Sequence, residues 1–402
     1  MFIRFMIKNL AAVIFLCFYL ENSLVAQSLK PIGIDENSIK FTVEADTAWT
    51  AMLKRYKGWF GADGIYTIPL NGVESRKSNA GDKSLLIFSD SMIGEVKDGT
   101  MQPGYKMIHN SVALLTGSKP QPDNLKFHWE KSKDGSAESV FIPRTSQTQP
   151  GDYYWLGDGF VNTEGNGALY IFGYRVKTFN TDAFGFKEVG NTLIKLNPKQ
   201  APAFKDIFQK DTPFYLTSKG GDIGSFGTGI YVNTKSAQAK NADGYVYVYG
   251  VRNISKDIML ARVLPKQFDN YAQWQFWDGA SWVGDMDKVA NITSNASNEI
   301  SVSQLADGRY IMVFQVNGMS TDIGIRLANK LTGPWGPIIK IWDCNPDLKK
   351  STYVVYNAKA HPTLSGPNEL LISYNINSLE FIKDLMTDPN LYRPRFIRLK
   401  IQ

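Results

Sequence analysis

Three carboxylic acids sit in matching surroundings far apart in this chain. Asp63 lies in Gly61-Ala62-Asp63-Gly64-Ile65-Tyr66, Asp158 in Gly157-Asp158-Gly159-Phe160-Val161, and Glu299 in Asn298-Glu299-Ile300-Ser301-Val302. Two further segments of the same kind, Phe226-Gly227-Thr228-Gly229-Ile230-Tyr231 and Lys359-Ala360-His361-Pro362, place Thr228 and His361 at the corresponding point. Grouped carboxylates suit hydrolysis of a glycosidic bond: one acid protonates the leaving oxygen, a second attacks the anomeric carbon or activates water, and a third tunes the pair. Asp63 is assigned as nucleophile or general base, because Gly61 and Gly64 let the backbone turn tightly beside it. Glu299, with the longer side chain, is assigned as the acid, and Asp158 as modulator or substitute acid. Substrate binding is assigned to Asp90, His361, Arg175, Arg252 and Asn375. Plainer roles compete at each position. Asp-Gly also makes an ordinary turn, Asp90 could cap a loop, Glu299 could be a solvated strand end, and a lone histidine is commonly structural. His109, just before an apolar run, could reach the same rim.

Something must bring these residues together. Each segment is followed by a turn and an apolar run, at 85–88, 169–172, 246–249, 311–314 and 370–374. Repetition of one unit signals an architecture of copies, and the unit here is an antiparallel sheet. The expected fold is all-β, a five-bladed β-propeller. In each blade the first strand would line a central channel and the second would return antiparallel to it. The starts at Asp63, Asp158, Thr228, Glu299 and His361 would then share a face with the ends at Asp90, Arg175, Arg252, Asn317 and Asn375. Asp243-Gly244 and Asp307-Gly308 precede apolar runs as hairpin turns should. Residues 40–45 read as a strand, and 48–59 as a short helix or irregular segment. The run at 394–401 is expected to share a sheet with N-terminal sequence, closing the ring and hiding sheet edges.

Composition narrows the functional classes. Arg4 and Lys8 precede an apolar run at 10–20 and then Leu24-Val25-Ala26, so residues 1–26 read as a secretory signal peptide. The run is too short for a stable span, so no lasting membrane insertion is expected after cleavage. Residues 27–402 read as one propeller domain, with a leader at 27–58 joining the ring closure. The expected location is secreted or periplasmic. Loss of the signal peptide removes Cys17 and leaves Cys344, so no internal disulfide is expected. The net charge of +6 is interspersed rather than blocked, which argues against a nucleic-acid partner. No cysteine cluster, paired-histidine spacing, EF-hand or phosphate loop specifies a metal or cofactor. A channel calcium ion would find ligands, but nothing specifies one. Aromatic residues are 13% of the chain, enough both to fill sheets and to present flat faces to sugars. Oligomeric state is not readable.

Several segments resemble a secreted bacterial family of five-bladed propellers catalogued as a domain of unknown function, some of whose relatives are endo-D-arabinanases. They are Trp59-Phe60-Gly61-Ala62-Asp63-Gly64, Leu86-Ile87-Phe88-Ser89-Asp90-Ser91, Gly157-Asp158-Gly159-Phe160, Gly244-Tyr245-Val246-Tyr247-Val248-Tyr249-Gly250, Asn298-Glu299-Ile300-Ser301-Val302 and His361-Pro362. Leu331-Thr332-Gly333-Pro334-Trp335 is similar to a stretch found in arabinanase and xylosidase propellers. The resemblance implies glycan hydrolysis by acids in a funnel, carried onto Asp63, Asp90, Asp158, Glu299 and His361. The third segment departs from the pattern, offering Thr228 where an acid is usual. The expected function is therefore a secreted glycoside hydrolase acting on a polysaccharide, with arabinan as one candidate. The alternatives are a non-catalytic glycan-binding propeller and a scaffold for another surface protein.

Overall fold

Five antiparallel sheets follow one another along the chain in the computed structural model, which describes residues 38–74, 77–180, 183–217 and 223–402. The first sheet orders Tyr66–Pro69, Lys83–Phe88, Ser111–Thr116 and Leu125–His128. The second orders Asp152–Val161, Leu169–Thr178, Phe186–Leu196 and Phe208–Asp211. The third is built on Ile223–Asn233, Tyr245–Arg252 and Asp257–Val263, with Tyr215–Thr217 at one edge and Gln275–Trp277 and Trp282–Val283 at the other. The fourth orders Ile300–Gln304, Tyr310–Gln315, Asp322–Ala328 and Ile339–Asp343. The fifth orders Tyr353–Ala360, Glu369–Ser378, Arg395–Ile401 and Phe41–Ala45. Its outer pair joins the two ends of the unit, with Phe41 opposite Ile401 and Ala45 opposite Ile397. Among the described residues only two α-helices occur, Thr47–Met52 and Phe381–Thr387.

The continuous apolar runs have a physical cause. Successive side chains of a strand point to opposite faces, and here both faces are covered. Leu85 and Ile87 pack against the second sheet, near Leu156 and Ile171, while Leu86 and Phe88 pack toward Leu371 and Phe396 of the fifth. Tyr170 and Phe172 join Val246 and Val248 of the third sheet, whereas Tyr247 and Tyr249 join Ile300 and Met312 of the fourth. Ile311 and Val313 complete the series against Leu370 and Ile372 of the fifth. Five apolar cores thus lie between successive sheets, in cyclic order. Each buried Leu, Ile or Phe contributes about 1.5–3 kcal/mol.

A small side sheet pairs Lys57–Ala62 with Ser91–Lys97, flanked by Thr100–Met101 and Lys106–Ile108. It matters because its two long strands run directly into Asp63 and out of Asp90. Asp63 thus joins the side sheet to Tyr66–Pro69, and Asp90 follows the first-sheet strand Lys83–Phe88. Residues Ile39–Gln402 form one compact unit. The signal peptide expected over 1–26 lies outside the described residues, as do residues 27–37 of the leader. Among the described residues no helix is long and apolar enough to cross a membrane. Cys344 is buried and unpaired.

Three sequence expectations about strand starts need correction, the first being Thr228, which lies in the middle of Ile223–Asn233. Asp158 does not open its strand, which runs Asp152–Val161; it sits mid-strand, where the pairing register slips between Leu156 and Gly159. His361 opens nothing either: Tyr353–Ala360 ends before it, and His361 begins the turn that follows. The register slips recur between Phe226 and Gly229 and between Tyr356 and Lys359. The corresponding residue of the fifth sheet is therefore in the Asn357-Ala358 bulge.

Candidate active site

The bulges and strand starts are structurally equivalent places, and they converge. Asp63 and Asp90 lie side by side because their backbones are cross-bonded: the Asp63 N–H donates to the Asp90 carbonyl at 3.2 Å, and the Ser89 N–H to the Asp63 carbonyl at 2.9 Å. Gly64 adopts φ +61°, and a Cβ there would lie 2.7 Å from Ser89 Oγ and 3.2 Å from Glu299 Oε1. Gly61 lets the chain press against the turn that leads into Arg395–Ile401, since a Cβ would stand 2.5 Å from the Tyr392 carbonyl oxygen. These contacts bring the fourth sheet's glutamate up to the first sheet's aspartate.

Asp63 is half-buried and its Oδ2 accepts the Tyr356 hydroxyl at 2.6 Å. Burial, and then repulsion from Asp90, push its carboxyl up to about 7; Glu299 adds to this, while hydrogen bonding from Tyr356 and Tyr392 opposes it. Asp158 is also pushed up to about 7, by burial first. Backbone donors oppose that rise: Asp158 Oδ1 accepts the Gly159 N–H at 2.8 Å and Oδ2 the Ile230 N–H at 2.7 Å. Lys359 pulls it down and Glu299 pushes it up. Glu299 is 7% exposed. Its Oε1 accepts the Asn357 amide at 2.7 Å, and its Oε2 is ion-paired with Lys359, itself buried. Burial raises the Glu299 carboxyl, and Lys359 works against that rise. The Lys359 ammonium also stands 4.5 Å from the Tyr66 ring centre.

Hydrogen bonds at this level link each sheet to the next. Ser89 of the first accepts the Leu156 N–H of the second at 3.0 Å. The second bonds the third through Asp158 and Ile230. Thr228 Oγ1 donates to the Asn298 carbonyl, which joins the third to the fourth. Ser301 of the fourth accepts the Ala360 N–H of the fifth at 2.8 Å, and Tyr356 returns to Asp63. Across the middle, the Tyr66 hydroxyl donates to the Thr228 carbonyl at 2.9 Å.

The predicted binding residues divide. Asp90 lies at the centre: its Oδ1 is bonded by His109 Nδ1 at 3.0 Å and by Trp155 Nε1 at 3.0 Å. Asn375 is fully buried and donates to the Ala62 carbonyl at 3.2 Å, supporting the backbone next to Asp63. His361 is 1% exposed and bridges Thr67 Oγ1 at 3.0 Å and Ser373 Oγ at 2.8 Å. Burial and the nearby Lys359 push its imidazole down to about 3. These contacts make it a neutral cross-link between the first and fifth sheets. Arg175 pairs with Asp211 at 3.1 Å and Asp152 at 3.5 Å, acids of its own sheet and not those of the centre. Arg252 donates to Asn291 Oδ1 at 2.7 Å and to the Val289 carbonyl at 3.2 Å, beside its own sheet.

Sequence reasoning missed Tyr356, Asn357 and Lys359, three contributors around one bulge. It also missed Glu74, whose buried carboxyl is raised by burial and by Asp158. Nothing in a lone glutamate within a turn-rich loop marks it. Among the described residues no group of three or more His, Cys, Asp or Glu side chains is placed to hold a metal ion. An open cleft of about 290 Å³, lined by Tyr170, Phe208 and Tyr271 among others, contains none of these acids.

Comparison with solved structures places this geometry among known folds. A hydrolase candidate from Bacteroides ovatus ATCC 8483 is 19% identical with a TM-score of 0.67, over 93% of this chain and 97% of that one. This likeness shows a shared fold. An exo-β-1,3-galactanase from Phanerochaete chrysosporium is 10% identical with a TM-score of 0.41, over 85% of this chain and 64% of that one. An α-L-arabinofuranosidase from Podospora anserina is 10% identical with a TM-score of 0.41, over 86% of this chain and 97% of that one. Structural neighbours thus include glycoside hydrolases. No curated protein matches the chain. The family profile described as a domain of unknown function, DUF5005, matches residues 46–401, and the chain belongs to that family.

Proposed function

We propose that this protein is a five-bladed propeller and a secreted glycoside hydrolase that cleaves a polysaccharide at the Asp63–Glu299 centre. The five cores in cyclic order and the sheet-to-sheet hydrogen bonds support the architecture. The observation that carries the function is the meeting of Asp63, Asp90, Asp158 and Glu299, drawn from three sheets, around one polar centre. Such crowding is costly for stability and is found where proton transfer needs it.

The contacts suggest roles different from those first assigned. Lys359 favours the carboxylate form of Glu299, which suits it to attack or to activate water. Asp63, titrating at about 7, holds a proton it can give up near neutral pH, which suits it as the acid. Asp158, with both oxygens on backbone N–H groups, is suited to setting the local charge. Retention or inversion follows from carboxyl separation, about 5–5.5 Å or about 6.5–9.5 Å respectively.

Sugar release from arabinan, arabinogalactan, galactan and xylan by wild type and by Asp63→Asn tests the reading. Release by wild type that falls at least ~100-fold in the variant is expected. Undiminished turnover in a folded variant overturns it. A second reading, glycan binding without catalysis, is favoured by the engagement of both oxygens of Asp158 and Glu299. Binding by wild type with no release from any bound glycan would establish it.

A further inference from the structure

Beside the carboxylates stands a group of rings that no core claims. Tyr153 and Trp155 are two residues apart in the strand Asp152–Val161 and so project from the same face. His109 stacks on Tyr153, ring centres 3.7 Å apart and planes 15° off parallel. Tyr153 and Trp155 are 6.1 Å apart, and Phe186 meets Trp155 edge-on at 4.6 Å. None of the four belongs to the five apolar cores. All are half-buried, and the His109 side chain is 35% exposed.

Their bonding connects the row to the chemistry. His109 and Trp155 both bond Asp90 Oδ1, fixing the carboxylate from one side and aiming Oδ2 elsewhere. Most other aromatic pairs here, such as Trp59 on Phe127 or Phe214 on Trp274, are packed into cores. Rigid rings that stay open to water, beside a polar group with a spare acceptor, suit the apolar face and the hydroxyls of a sugar.

We propose that His109, Tyr153, Trp155 and Phe186 form a stacking platform for further sugars of the same glycan chain, with Asp90 Oδ2 taking a hydroxyl where platform and carboxylates meet. The proposal rests on the glycosidase reading and deepens it. The substrate is a chain of several sugars lying across the second sheet's rim, not a lone terminal sugar. A single stacked sugar is worth roughly tenfold in affinity.

Affinity electrophoresis in gels containing arabinan, arabinogalactan, galactan or xylan tests this, using the full chain. Wild type and Asp63→Asn are both expected to be retarded by at least one polysaccharide. Tyr153→Ala should lose most of that retardation, with dissociation constants raised roughly tenfold. Phe208→Ala, an exposed ring on another strand, serves as the aromatic control and should be retarded like wild type. Melting curves check that Tyr153→Ala is folded, and Tyr153→Phe should restore retardation. Retardation of Tyr153→Ala equal to wild type, or no retardation of wild type by any polysaccharide, overturns the platform. Loss of retardation in Tyr153→Ala with undiminished turnover in Asp63→Asn would remove the catalytic reading and leave the platform standing.

Discussion

Replacing Asp63 by Asn should make the protein more stable while silencing it. Asp63 sits beside Asp90, within the influence of Glu299, and half out of water. The gap between an ordinary aspartate at 3.8 and a carboxyl at about 7 corresponds to about 4 kcal/mol between its two protonation states. The folded protein therefore binds this proton more tightly than the unfolded chain does. Stability must fall as pH rises from about 4 to about 7, and stay lowered above that. Asparagine is neutral at every pH and keeps an oxygen for the Tyr356 hydroxyl. Part of the gain is shared with Asp90 and Glu299, so about 2–4 kcal/mol is expected at pH 8 and close to none at pH 4. Urea unfolding of both proteins at pH 4, 6 and 8, followed by tryptophan fluorescence, measures this directly. Asp158 titrates in the same range but cancels in the difference. An advantage that is absent at pH 8, or equal at all three pH values, would refute the claim that Asp63 is held among competing charges.

Three further outcomes follow from particular contacts. Lys359→Met leaves Glu299 buried without its cation and should cost about 3–5 kcal/mol; adding Glu299→Gln should recover most of it, giving a strongly non-additive double-mutant cycle in urea. His361→Gln should cost about 1–3 kcal/mol at pH 7 through its bridge to Thr67 and Ser373. Because the imidazole titrates at about 3 when folded and 6.5 when free, wild type loses stability as pH falls from about 6.5 toward about 3; the variant should lack that loss, so the gap between them narrows at pH 4. Gly64→Ala meets both a left-handed φ and the Ser89 hydroxyl, and should lower stability by about 1–3 kcal/mol in thermal melts while reducing any activity.

Much of the fold was legible because burial on two faces writes itself into strands as unbroken apolar runs. Residues 246–249 and 311–314 could be placed without knowing their partners, and Gly244 and Gly308 do take the positive φ a turn requires. Asp63, Asp158 and Glu299 were found because each interrupts such a pattern at a corresponding point. The fifth segment was misread because a bulge puts two residues where one would pair, shifting the register between Tyr356 and Lys359. Aligning this segment on His361 passed over the Asn357-Ala358 bulge, the place that Asp158 and Thr228 occupy in the second and third sheets. Lys359 gave no signal, since a lysine in an alternating strand reads as solvent-facing; only its contact with Glu299 shows otherwise. Hence the roles assigned from the glycines beside Asp63 and from the side-chain length of Glu299 are exchanged in the proposal. The aromatic excess could not be divided in advance: Trp49, Trp59 and Trp274 fill cores, whereas Trp155 points at Asp90.

The pairing of Phe41–Ala45 with Arg395–Ile401 sets a schedule on biosynthesis. The earliest described strand of this unit to leave the ribosome has no neighbour until Arg395–Ile401 has been made. Until then Glu369–Ser378 also lacks one flank, and an unsatisfied strand edge invites pairing with another molecule. A message truncated before Arg395 would therefore yield not a slightly shorter protein but one exposed at two seams, prone to clump and to be degraded.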